Sequence, residues 1–395
     1  MMKPSLKDHV LRPLGAALFM VVLAAASAAF AAPPASFETP AREAILLDAD
    51  TGAVLFEKEA DVPMPPASMS KMMTLYVLFE RLQEGRIKLT DTMTVSRNAW
   101  LIGGAQSGGS TMFLNPNEQV KVEDLIRGIA IQSGNDASVV VAEGISGTEE
   151  AFAEEMMKVG ARIGLRDSTF TNATGLPDPN HRMTARDIAT LSYRTLKDHP
   201  EYYHYYSEKE FVFNGIRQGN RNPLLYKTLG VDGLKTGHTE AAGFCLAASA
   251  KQGERQLIAV LGGLTSMQQR SDESERILSW GFRQFDNYVL FKPGEEVTTA
   301  EVWLGEQETV PLVSDQGVTV TLPRGARQEM KVTVNYDGPV PAPVQAGDQL
   351  AVLTVSAPGV DPVEVPLVAG APVERLGPFG RLSVALTHMA GSALR

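Results

Sequence analysis

Cysteine is nearly absent: Cys245 stands alone among 395 residues. That excludes an intrachain disulfide framework and any cysteine-rich metal site, so stability must come from packing. An excess of basic charge is also missing. Lys and Arg total 36 against 46 Asp and Glu, a net charge of -10, which argues against general electrostatic binding to nucleic acid. No His-Glu-x-x-His occurs, and His199 and His204, five apart, do not share one helix face, so neither a metal nor another cofactor is expected. Gly103-Gly104 and Gly108-Gly109 are not followed by Gly-Lys-Ser/Thr, which removes a phosphate cradle. What is present is an ordinary globular balance, 44% hydrophobic and 21% charged, on a chain long enough for two domains.

Hydrophobic runs are short except at the N-terminus, where Lys3, Lys7 and Arg12 precede an uncharged stretch from Leu14 to Phe30 that ends in Ala29-Phe30-Ala31. Positive charge, apolar run and small residues in that order read as a secretory signal peptide, residues 1–31, cleaved after Ala31 or Ala32. The alternative, a membrane anchor, suits this Ala-rich run less well because it is short and meets Pro33-Pro34 directly. The mature chain is therefore expected to work outside the inner membrane.

Strand patterns at Ala44 to Leu47 and Ala53 to Phe56 flank Asp48-Ala49-Asp50-Thr51-Gly52 and predict an opening hairpin. Proline-rich 62–67 then gives way to Met72, Leu75, Phe79 and Leu82 at helical spacing, so a buried helix is expected from about Ser68. Further helices are predicted at Val122 to Ile131, Asp136 to Glu143, Phe152 to Arg162 and Ala185 to Leu196. A second hairpin follows at Gly243 to Ala250 and Gln256 to Leu261, then a helix starting at Asp272-x-x-Glu275. Early and late strands with helices between them predict an α+β domain over 32–291, an antiparallel sheet sandwiched by helices. Val, Thr and Pro dominate 292–375, which reads as a separate small all-β domain. Over 376–395, Phe379, Leu382, Leu386, Met389 and Ala393 fall on one helical face, an amphipathic pattern that fits a membrane surface or an ordinary docking helix. The tyrosines at 202, 203, 205 and 206 read as a structural turn in preference to a sugar-stacking platform.

Ser68-Met69-Ser70-Lys71 places a hydroxyl and an amine three positions apart at a helix start, on one face. A serine needs an adjacent base, and a lysine serves if burial or a second cation strips its proton. Ser70 has no amine at this spacing, so Ser68 is the expected nucleophile. The pattern alone is weak, with about one chance match per chain. Ser133-Gly134-Asn135 lies in a break between two predicted helices, where short polar side chains can enter a cleft or merely cap a helix. Lys235-Thr236-Gly237-His238-Thr239 precedes a strand and reads as an exposed edge able to pair with an extended peptide, Gly237 letting that peptide come close.

These three motifs in this order define an acyl-serine site, and with them the sequence resembles the low-molecular-mass penicillin-binding proteins, the serine D-alanyl-D-alanine carboxypeptidase family. Gly109-Ser110-Thr111-Met112-Phe113-Leu114, Leu125-Ile126-Arg127-Gly128, Thr184-Ala185-Arg186-Asp187 and Ser279-Trp280-Gly281-Phe282-Arg283 extend the resemblance over about residues 40 to 290. It implies Ser68 as the acylated nucleophile, Lys71 as proton acceptor, and Ser133 with Lys235 as the route returning a proton to the departing D-alanine. It also implies Asn135 as a substrate-amide contact, the backbone N–H groups of Ser68 and His238 as the oxyanion hole, and Thr236 and Thr239 on the same edge. Arg270 falls where the family carries an arginine for the substrate's terminal carboxylate, which a guanidinium binds through two parallel bonds. The implied substrates are peptidoglycan stem peptides, with β-lactams as covalent inhibitors, and the implied place is the periplasm, peripheral on the outer face of the inner membrane. Rival readings are a DD-endopeptidase, a β-lactamase, for which no matching glutamate motif appears between Ser133 and Lys235, and a non-catalytic wall-binding protein.

Overall fold

The computed structural model describes residues 37–380; the signal-peptide reading and the helical face beyond 380 lie outside them. Five strands, β1 (Ala44–Asp48), β2 (Val54–Lys58), β3 (Val231–Thr239), β4 (Gly243–Gln252) and β5 (Arg255–Leu264), form one antiparallel sheet in the order β2-β1-β5-β4-β3. Strand alternation explains why helices cover both faces. Ala44, Leu46, Leu246, Ala248, Leu257 and Ala259 point one way, against Ile277 and Leu278. Ile45, Leu47, Ala247, Ile258 and Val260 point the other way, into the larger core with Met72, Leu75 and Phe79. The predicted α+β sandwich is thus the observed one.

The helices are α1 (Lys71–Gln83), α2 (Arg97–Gly103), α3 (Val122–Ala130), α4 (Asn135–Ser146), α5 (Glu149–Arg162), α6 (Ala185–Asp198) and α7 (Met267–Gln284). Helix α1 is buried nearly all round, as a central helix must be. A 3-10 turn, Ala67–Ser70, precedes it, so Ser68 sits in that turn and the α-helix proper starts at Lys71. The reading of α7 needs correction. It begins at Met267, capped by Ser266 Oγ accepting from Gln269 N at 3.0 Å, five residues before Asp272. Its polar first turn hides the start, and Arg270 consequently belongs to the helix. The tyrosine segment is a 3-10 turn with Tyr203, Tyr205 and Tyr206 buried in the core.

Beyond α7 the described chain is mainly β-structure, with a 3-10 turn at Ala326–Glu329 and helical residues at 378–380. Phe285–Phe291 pairs with Val318–Pro323, and a six-stranded sheet is built around Glu296–Trp303, Thr309–Val313, Gln349–Ala357 and Val360–Ala369. Leu312, Val320, Leu353 and Leu367 fill its core. Among the described residues no helix is long and apolar enough to cross a membrane.

A buried polar joint ties the two parts. Asp48, at the end of β1, accepts from Arg255 Nε at 2.7 Å and Asn287 Nδ2 at 3.1 Å, while Arg255 Nη1 donates to the Phe285 carbonyl at 2.6 Å. Thr321 Oγ1 donates to Asn287 Oδ1 and meets Thr51 Oγ1. Removing one partner of a buried pair leaves the other charge uncompensated. Asp48→Ala is expected to lower stability by about 3 kcal/mol in urea unfolding; a change under about 0.5 kcal/mol, the size of an exposed pair, would show the joint to be incidental.

Candidate active site

The 3-10 turn decides which serine is available. Residues i and i+3 eclipse in such a turn, and Lys71 Nζ lies 3.0 Å from Ser68 Oγ. Ser70, by contrast, is buried and bonded to His181 Nε2 at 2.7 Å. Lys71 is fully buried and donates a second bond to the Thr174 carbonyl at 2.6 Å. Burial is the main force pushing its pKa down to about 7, helped by the Arg221 charge and opposed by Asp136 and Glu149. The amine is thereby placed to take a proton from the hydroxyl beside it.

Helix α3 ends at Ala130 and α4 starts at Asn135, and the intervening turn carries Ser133 at a φ of 66°, the left-handed region that side chains other than glycine rarely adopt. This strained turn is held by Asp136. Its buried carboxylate accepts from Thr111 Oγ1 at 2.6 Å, Met112 N at 2.9 Å and Leu114 N at 3.2 Å, pinning the turn to the 110–114 segment. The Ser133 hydroxyl is buried and has no hydrogen-bond partner among the described residues, and Asn135 is buried beside it. A buried hydroxyl left without a partner is costly, so Ser133 Oγ is a group waiting for one.

Strand β3 is the sheet edge, as its sequence suggested. A Cβ on Gly237 would stand 3.0 Å from the Pro66 carbonyl and 3.2 Å from Ala67 Cβ. Gly237 therefore allows a close approach of the nucleophile turn, which brings β3 alongside Ser68. Lys235 is buried, and burial with the charges of Lys71, Arg221 and Arg270 drives its pKa well below the usual lysine value. Two amines and two guanidiniums thus share one neighbourhood.

A cleft of about 640 Å³ opens between these parts, lined by Ser68, Ser133, Thr236, Gly237, His238 and Arg270. Lys71, Asn135 and Lys235 are buried around it. Thr239 ends the same strand, lines a neighbouring cavity, and its hydroxyl accepts from Ala242 N at 3.1 Å. His238 stacks on Phe244 with ring centroids 4.0 Å apart, and the Arg270 guanidinium lies 5.9 Å from the same ring. Arg270 is largely buried, its Nε has no partner and no carboxylate forms an ion pair with it among the described residues.

The cleft also contains residues that the sequence did not reveal. Arg221 lines it and donates to Ser110 Oγ. With Arg270 it makes an anion-seeking pair, and no motif marks Arg221 in the sequence. Asp136 acts on the site through its carboxylate, held against the 111–114 segment, and Thr174 through its backbone carbonyl, and neither contact is signalled by residue type alone.

Comparison with known proteins agrees with this geometry. Residues 27–265 match the family model described as D-alanyl-D-alanine carboxypeptidase, and residues 285–375 match the C-terminal domain of penicillin-binding protein 5. The chain is 41% identical over 345 residues to D-alanyl-D-alanine carboxypeptidase DacC of Escherichia coli, covering 87% of this chain and 86% of that one. It is 39% identical over 341 residues to DacA of Haemophilus influenzae, covering 86% of each. Among solved structures, penicillin-binding protein 5 of Haemophilus influenzae superposes with a TM-score of 0.81 at 38% identity, over 86% of this chain and 99% of that one. Penicillin-binding protein 6B of Escherichia coli gives a TM-score of 0.70 at 35% identity, over 85% and 98%. The chain belongs to the D-alanyl-D-alanine carboxypeptidase family.

Proposed function

We propose that Ser68 cleaves the bond between the two terminal D-alanines of a peptidoglycan stem peptide. The observation that carries this reading is the buried Lys71 amine 3.0 Å from Ser68 Oγ. Lys71 Nζ takes the hydroxyl proton as Ser68 Oγ attacks the carbonyl carbon, and the backbone N–H groups of Ser68 and His238 receive the resulting oxyanion. The C–N bond breaks, the departing D-alanine nitrogen gains a proton through Ser133 and Lys235, and water then hydrolyses the Ser68 ester. Asn135 and Thr236 hold the peptide along β3.

β-Lactams acylate the same serine and leave slowly. No glutamate motif of the kind that serves rapid deacylation stands between Ser133 and Lys235, which favours a carboxypeptidase over a β-lactamase. Muropeptides treated with the purified protein should lose one D-alanine by mass spectrometry; cross-linked dimers cut to monomers would instead mark an endopeptidase, and no change in either would overturn the reading.

Arg270 is the group we assign to the substrate's terminal carboxylate, with Arg221 adding charge. Arg270→Ala should lower kcat/KM for peptides with a free terminus about fiftyfold, the worth of a charge-assisted bidentate contact, and slow penicillin acylation less. Equal losses for both would remove the assignment. The exported location, periplasmic and peripheral on the inner membrane's outer face through residues 376–395, rests on the N-terminal pattern and the terminal amphipathic spacing.

A further inference from the structure

The His181–Ser70 bond joins two segments 111 residues apart, and the mechanism above makes no use of it. His181 is buried, and both ring nitrogens have partners: Thr171 N–H donates to Nδ1 at 3.3 Å, so the ring proton sits on Nε2 and is donated to Ser70 Oγ at 2.7 Å. Around this bond the 171–176 turn is wrapped on Asn172, whose Oδ1 accepts from Thr174 N at 3.1 Å and Gly175 N at 2.8 Å. The Ala173 carbonyl accepts from Thr74 Oγ1 of α1 at 2.7 Å, and the Thr174 carbonyl accepts from Lys71 Nζ. Gly175, at a φ of 75°, leaves no room for a Cβ, which would lie 1.9 Å from the Ala67 carbonyl. On its other side the loop borders a separate cavity of about 230 Å³, and His181 is part of that cavity's wall.

We propose that His181 is a positioning residue for acylation: through Ser70 it pins the 171–182 loop to the turn carrying Ser68, holding the Thr174 carbonyl on Lys71 Nζ and closing Lys71 off from the neighbouring cavity. The proposal rests on Ser68 and Lys71 acting as described above. The ring is suited to this because burial drives its pKa down to about 4 against the pull of Asp178, with Lys71 and Arg182 adding to the fall, so it stays neutral through the working range. The amine it protects faces Arg221 and Lys235, which disfavour its charge, and Asp136 and Glu149, which favour it. None of these sits on the loop that His181 fastens. Burial is the dominant cause of the low Lys71 pKa, so loosening the loop lets water in and raises that pKa. Acylation needs the free amine, and its acid limb must then move to higher pH.

The test compares His181→Leu, His181→Gln and Ser70→Ala in the purified protein, following D-alanine release and labelled-penicillin acylation from pH 5 to 10, with thermal unfolding alongside. His181→Leu is expected to lower kcat about thirtyfold with KM nearly unchanged and to move the acid limb up by about one pH unit. His181→Gln, whose amide N–H can reach Ser70, should restore most of the rate and the original limb. Ser70→Ala, which cuts the same bond with little change in volume, should reproduce the shift even if His181→Leu does not fold. An unmoved acid limb in Ser70→Ala, or Gln and Leu variants equally impaired, would overturn the proposal. Penicillin acylation reads the brace independently of the natural peptide, so absent D-alanine release in the unaltered protein would count against the functional reading alone.

Discussion

Ser68→Ala should abolish covalent labelling by penicillin and lower D-alanine release by at least about 10⁴-fold, since both pass through an ester on that oxygen. The folded state should be untouched: Ser68 is only half-buried and its recorded side-chain bond is the one it accepts from Lys71. Labelling is measured by gel fluorescence and release by D-alanine quantitation. Persistent labelling would transfer the nucleophile elsewhere. Ser70 is the nearest serine in sequence, and its burial and its bond to His181 are the reasons to expect no transfer to it.

Lys71→Arg tests the base while keeping a cation. An arginine has no accessible free-base form, so it can satisfy the Thr174 carbonyl yet cannot accept the serine proton. Acylation should fall about 10³-fold, the usual weight of a positioned general base. The pH response separates this from simple misfit. In the unaltered protein a pKa near 7 means that the free amine, and with it acylation, rises about tenfold per pH unit below neutrality and levels above it. The arginine variant should show no such rise. If its residual rate climbs through pH 7 as before, another group is the base.

The sequence disclosed the parts of the site that are local in the chain. Ser68 and Lys71 are three apart, so a single turn brings them together, and the strand edge at Lys235 to Thr239 follows from short-range pattern. The α+β sandwich was legible for the same reason, since Ile45, Leu47, Met72 and Phe79 repeat at strand and helix spacings. What stayed hidden depends on pairings across long separations. Arg221 reaches Ser110 over 111 residues, and His181 reaches Ser70 over the same distance. Neither has a neighbour in sequence that marks it. The short helix Arg97–Gly103 buries only Ala99 and Gly103, too few positions to set up a period. The first turn of α7 carries Gln268, Gln269 and Arg270, with Arg270 on the cleft, so it lacks the apolar rhythm that would have shown where the helix starts. The tight packing of Gly237 against Pro66 and Ala67 stayed hidden too, because no local pattern identifies that neighbour.

The pairing of Ala44–Asp48 with Leu257–Leu261 has a consequence for biosynthesis. A nascent chain holds its first hairpin for some two hundred residues before the inner partner strand exists, and loops that large close slowly. During that interval β1 offers an open edge of the kind that seeds aggregation. The two halves of the pocket meet only when the last strand docks, and catalytic competence arrives in one late event instead of growing with chain length.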